Sequence, residues 1–174
     1  MSDTPTIIQY AGDEFFIATT PSGHAQTMDV KSGRRAAAGP LELFLTGLGG
    51  CTAADVISVL HKKREQVTAY RVEIRSERRE EHPRSFRRIE LKHIVRGHNL
   101  SAEAVKHAIA LSTDKYCSAI STVRPTAEVV TSFEIQEEDG EGGPGQRPAD
   151  DAGRKEPDRG SSAGRRAALL HGLR

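Results

Sequence analysis

A domain of mixed strands and helices, followed by a segment that cannot fold on its own, is the architecture this sequence predicts. Three observations carry it. Short stretches of alternating or β-branched residues recur between turns rich in Gly, Pro and Asp. One helical run is apolar on nearly every side. The composition also changes abruptly after Ile135: residues 136–174 hold eight Gly and three Pro in thirty-nine positions, with almost no large apolar side chain before Leu169. Such a segment cannot bury enough surface to offset its ordering entropy. The expected organisation is a folded domain over residues 1–135 and a disordered Gly-, Pro- and charge-rich tail over 136–174.

Within the folded part, residues 6–10 read as a strand, 14–20 as a second and 24–30 as a third, with Ala11-Gly12-Asp13 and Pro21-Ser22-Gly23 as the turns of an antiparallel meander. Gly39-Pro40 opens a helix expected to reach about Arg64, with apolar residues at 41, 44, 45, 48, 56, 59 and 60 following the 3.6-residue period. Proline belongs in a first turn, where its missing N–H is not needed. From Leu43 to Val59 nearly every face of this helix is apolar, Asp55 being the exception. A helix greasy on all sides is buried on all sides, so it lodges between sheets or between two subunits. Strands are expected over 67–78 and 86–96, joined by a charged connection. Ser101 is the expected cap of a second helix with an apolar stripe at Ala104, Val105, Ala108, Ile109 and Leu111. Residues 127–135 read as the closing strand. Hydrophobic residues make up 36% of the chain and Trp is absent, a lean core that shared burial with a second copy would complete.

Charge excludes some partners. A formal net charge of +1 draws the chain toward neither nucleic acid nor an anionic membrane. The basic residues between 78 and 88 are offset by Glu77, Glu80, Glu81 and Glu90. Residues 1–5 carry no basic stretch leading into an apolar one, so no secretory signal is expected. The longest uncharged apolar run, 43–54, falls short of the ~20 residues that span a bilayer. A cytoplasmic location follows, where a lasting disulfide is improbable and a transient catalytic one is allowed. Cys-x-x-Cys, His-Glu-x-x-His and four-ligand zinc spacings are absent, so neither metal nor cofactor is expected.

Chemistry converges on the two thiols of the chain, Cys51 and Cys117. A thiol that ionises and a second that reaches it form a peroxide-reducing or redox-sensing pair. Two thiols that never meet are small core residues. Cys51 follows Gly49-Gly50. If those glycines interrupt the helix, Cys51 enters a new first turn whose unpaired N–H groups favour the thiolate. If they do not, it is mid-helix without that help. Glycine costs roughly 1 kcal/mol in a helix interior, so the cluster at 47, 49 and 50 has a reason, either close backbone packing or room for a substrate beside the sulfur.

The sequence from Gly39-Pro40-Leu41-Glu42-Leu43 into Leu48-Gly49-Gly50-Cys51-Thr52-Ala53-Ala54-Asp55-Val56 resembles the first cysteine helix of the osmotically inducible protein C (OsmC) and organic hydroperoxide resistance superfamily. Ser112-Thr113-Asp114-Lys115-Tyr116-Cys117-Ser118 resembles its second cysteine segment. The stretch 76–83, with Ser22-Gly23-His24 and Met28-Asp29, is similar to the branch usually called YhfA-like. The resemblance implies an α+β fold with antiparallel sheets packed on two long helices, built as an intertwined homodimer. It implies a Cys-based, thiol-dependent peroxidase of oxidative stress protection. Cys51 attacks a small hydroperoxide, Cys117 condenses with the resulting sulfenic acid, and an external dithiol restores both thiols. Members of the family supply a glutamate ten positions before the first cysteine and an arginine from the N-terminal sheet. Here position 41 is Leu with Glu42 beside it, and no Lys or Arg precedes Lys31. The candidates for those roles are therefore Glu42, Arg34, Arg35 and Arg79, the last reaching across from a partner subunit.

The alternative is a non-catalytic dimer of the same fold that senses redox state or binds a small ligand. A cysteine hydrolase built on Gly49-Gly50-Cys51 needs a strand before the nucleophile, and the residues before Cys51 are helical in pattern.

Overall fold

The computed structural model describes residues 3–138, and the expected tail beyond them lies outside the described residues. The chain opens with strands β1 (Ile7–Gly12), β2 (Phe15–Thr19) and β3 (Ala25–Asp29), paired antiparallel in the order β1-β2-β3. Gly12 takes a φ of 94° at a bulge in the first turn, a conformation that costs glycine nothing. This meander leaves apolar side chains open: Ile7, Ile8 and Tyr10 are each more than half exposed.

Helix α1 (Pro40–Lys62) follows as the prolines and periodicity predict. It is long and apolar enough to cross a membrane by length and composition. Only one side of it is packed within the chain: Leu48 joins one apolar cluster and Val56 and Leu60 another, while Leu41 and Phe44 are more than 40% exposed, which corrects the expectation of burial on all sides. Strands β4 (Gln66–Arg78) and β5 (Phe86–His98) form a long antiparallel pair, and β6 (Glu128–Glu137) joins the far side of β5. This last pairing is parallel, which corrects the expectation of purely antiparallel sheets. The cause is the connection: helical segments cross from the end of β5 back to its start, and such a crossover delivers a parallel neighbour. Strand β6 also continues two residues past the expected boundary at 135, because Gln136 and Glu137 pair with Arg96 and Gly97.

The crossover is where the second helical stretch departs from a single long helix. Helix α2 (Ala102–Leu111) starts on Ser101, whose Oγ accepts the Ala104 N–H at 3.2 Å. After ten residues it widens into a π turn (Ser112–Tyr116), closed by the Cys117 N–H donating to Ser112 O at 2.9 Å. Cys117 is extended, with ψ of 101°, and helix α3 (Ser118–Val123) begins after it.

Helix α1 lies against the inner face of the second sheet, where Ile89, Leu91, His93 and Val95 are almost wholly buried. Gly49 packs closely here, since a Cβ there would displace the Cδ1 end of the Ile74 side chain. Gly97 is tighter still, because its Cβ would collide with the Gln66 backbone at the bulge between Val67 and Ala69. His93 is the unusual core residue. Tyr70 Oη lies 2.7 Å from its Nδ1, and its Nε2 has no hydrogen-bond partner. Burial pushes His93 down to about 4 and raises Tyr70.

Candidate functional site

Helix α1 runs through Gly49-Gly50 without a break, so Cys51 is mid-helix and gains nothing from an N-terminus of its own. Help comes from α3 instead. The Ala119 N–H is the largest influence lowering the Cys51 thiol, followed by the Cys117 thiol; partial burial and the Asp55 charge oppose them. Ser118 Oγ, at 4.0 Å from Cys51 Sγ, adds to the lowering.

The π turn explains how Cys117 arrives. A wider turn inserts an extra residue into the helical path, a device common at functional sites. Here it places Ser112 inward, fully buried, and ends on a Cys117 that is 3% exposed. Cys117 then caps α3, its Sγ accepting the Ile120 N–H at 3.5 Å. Burial pushes its thiol up to about 11, and the neighbouring Cys51 adds to the rise. Near neutral pH the more exposed sulfur of the pair is the readier thiolate and the buried one keeps its proton.

A third group belongs to this cluster. Asp55 stands four residues after Cys51, hence on the same side of α1. Cys51 Sγ, Cys117 Sγ and an Asp55 carboxylate oxygen all lie within 4.8 Å of one another. Ser112 Oγ donates to Asp55 Oδ2 at 3.1 Å and is itself 2.9 Å from Thr52 Oγ1. Asp55, Ser112, Thr52 and Ser118 had no assigned role in the sequence reading. The Cys-x-x-x-Asp spacing on a helix was the available signal for Asp55. Nothing in the sequence pointed to Ser112, because its inward turn depends on the π geometry.

The other predicted residues sit elsewhere in the described chain. Glu42 Oε2 accepts the Gly39 N–H at 2.6 Å and closes the start of α1. On an unbroken helix it is ~13 Å along the axis from Cys51 and half a turn away. Arg34 clamps the loop after β3: its Nε donates to Asp29 Oδ2 at 2.7 Å, one NH2 bond reaches Asp29 Oδ1 at 2.9 Å, and Asp13 takes its NH1. The guanidinium also lies over the Phe15 ring at 5.0 Å and holds the Asp29 carboxyl far below the usual carboxylate range. Arg35 is exposed. Arg79, on the β4–β5 connection, donates to Thr126 O at 3.2 Å. Within the described chain, none of the four bonds to either thiol.

Comparison with known proteins establishes the family. The family model described as OsmC-like protein matches residues 32–132. The Escherichia coli K12 protein YhfA is 42% identical over 120 residues, spanning 69% of this chain and 89% of its own. A hypothetical protein from Aquifex aeolicus VF5 superposes with a TM-score of 0.70 at 29% identity, over 80% of this chain and all of that one. The organic hydroperoxide resistance protein OsmC from Legionella pneumophila shares the fold at a TM-score of 0.57 and 15% identity, over 78% of this chain and all of its own. With both cysteine segments inside the matched region, this chain belongs to the OsmC family.

Proposed function

We propose that this protein is a thiol-dependent peroxidase that reduces organic hydroperoxides through Cys51 and Cys117, acting as a cytoplasmic homodimer in oxidative stress protection. The observation that carries the reading is the meeting of two unlike sulfurs, one lowered by the Ala119 N–H and one raised by burial, across 4.8 Å or less. The Cys51 thiolate attacks the terminal peroxide oxygen, the O–O bond breaks, and the alkoxide leaves with a proton as alcohol. The Cys51 sulfenic acid then loses water to the Cys117 thiol, forming a disulfide. An external dithiol reduces that disulfide by exchange and is itself oxidised.

An apolar cavity of about 320 Å³ supports an organic substrate. Its walls include Leu41, Phe44, Phe86 and Val123, with the Phe44 and Phe86 rings stacked at 5.6 Å. Phe44 precedes Cys51 by seven residues, two turns or ~10 Å along the same side of α1. Dimerisation is supported by the open apolar residues of the meander and by Gly47 and Gly50, which face space within the single chain. A second copy would cover both.

The test is cumene hydroperoxide added to the reduced protein with a dithiol present. Turnover is expected, with a Cys51–Cys117 linkage found by peptide mass spectrometry and both lost in Cys51→Ser. Formation of the linkage without turnover favours the second reading, a redox sensor. That reading draws on the position of Glu42 and the three arginine candidates away from the thiols in the single chain.

A further inference from the structure

The geometry points to a second use of the reduced site: Cys51, Cys117 and Asp55 form a three-ligand site for a thiophilic divalent cation of the Zn²⁺ type. The ligand atoms already converge to within 4.8 Å of one another, from the middle of α1 and the junction of the π turn with α3. Two thiolates and one carboxylate, with the fourth position left to water, is a donor set that zinc accepts and that magnesium or calcium does not favour.

Two features separate this cluster from a chance grouping. First, each ligand has a protein donor behind it, the arrangement that orients metal ligands. Ala119 N–H addresses Cys51, Ile120 N–H addresses Cys117 at 3.5 Å, and Ser112 Oγ holds the Asp55 carboxylate at 3.1 Å, with Thr52 behind it at 2.9 Å. Second, Cys117 is 3% exposed while Cys51 and Asp55 are half-buried, which gives the site a dry side and an open side.

In the binding step both sulfurs bind as thiolates, any proton either still holds goes to solvent, and the cation exchanges water for two sulfurs and one oxygen. The site needs the thiols reduced but not their reaction with peroxide, so its failure leaves the peroxidase proposal standing and the reverse also holds.

Cd²⁺ titrated into the reduced full-length protein under anaerobic conditions is the direct probe, with Zn²⁺ then measured by competition against a chromophoric chelator. Saturation at one Cd²⁺ per chain is expected, with a thiolate-to-cadmium ultraviolet band and release of protons from the thiols. Cys51→Ser and Cys117→Ser lose the band. Asp55→Asn, which can still accept from Ser112 and so preserves the fold, weakens binding roughly 10- to 100-fold. No saturable binding by the folded wild type overturns the proposal. Unchanged affinity in Asp55→Asn also overturns it, by leaving only a thiol pair.

Discussion

The two sheets solve the same problem differently. The β4–β6 sheet has a buried inner face against α1 and a charged outer face, where Arg88 pairs with Glu128 and Lys92 with Glu134 across the strands. The β1–β3 meander pairs only within itself and keeps Ile7, Ile8, Tyr10 and Ile17 at 37% exposure or more. One sheet is finished inside a single chain. The other is finished only if something covers it, and the homodimer proposed above is what supplies that cover.

The largest expected effect breaks the finished sheet. Gly97→Ala sets a Cβ against the Gln66 backbone, which cannot yield as a side chain would; a loss of about 3 kcal/mol or more is expected in urea denaturation. His93 comes next. Its folded value near 4 lies below the unfolded 6.5, so the unfolded chain binds the extra proton on acidification. Stability is therefore full above pH 6.5 and falls toward pH 4, by up to about 3 kcal/mol. The pH slope of urea midpoints should flatten across that window in His93→Phe. Third, Gly49→Ala sets a methyl against Cδ1 of Ile74, a side-chain end that can rotate away, so a repacking cost partly offset by helix propensity should leave a loss of about 1–2 kcal/mol. Gly50→Ala meets nothing within the chain and should gain up to about 1 kcal/mol of helix propensity at concentrations where the protein is monomeric. The smallest effect sharpens the unfinished side. Ile8→Ser should change monomer stability by only about 0.5 kcal/mol yet weaken self-association, read by sedimentation equilibrium. An unchanged association constant would mean the meander is not part of the interface.

Most of the fold is legible in the sequence, because its signals are local. Pro40 and the 3.6-residue stripe placed α1, Ser101 capped α2 as expected, and the meander strands fell near their predicted ranges. What escaped is set by tertiary demand. The parallel pairing of β6 depends on where the crossover returns, which no strand pattern encodes. The π turn at 112–116 reads as ordinary helix in sequence, since its extra residue is needed only to bring Ser112 and Cys117 inward. The thiol pair itself was named from residues and resemblance. Asp55 reads in sequence only as a charge on a greasy helix, and its place beside the sulfurs depends on α1 being unbroken. The same continuity is what puts Glu42 at the helix start rather than beside Cys51.

Cys117 is both a reagent and a fastener. Its sulfur ties down the opening turn of α3 at the Ile120 amide, and the preceding amide, Ala119, tunes the thiol it answers to. Loading that sulfur with a new bond, to its neighbour or to a cation, therefore tugs on the backbone at Ala119 and Ile120. Amide exchange at those two positions becomes a gauge of the state of the site, legible without any substrate in the tube.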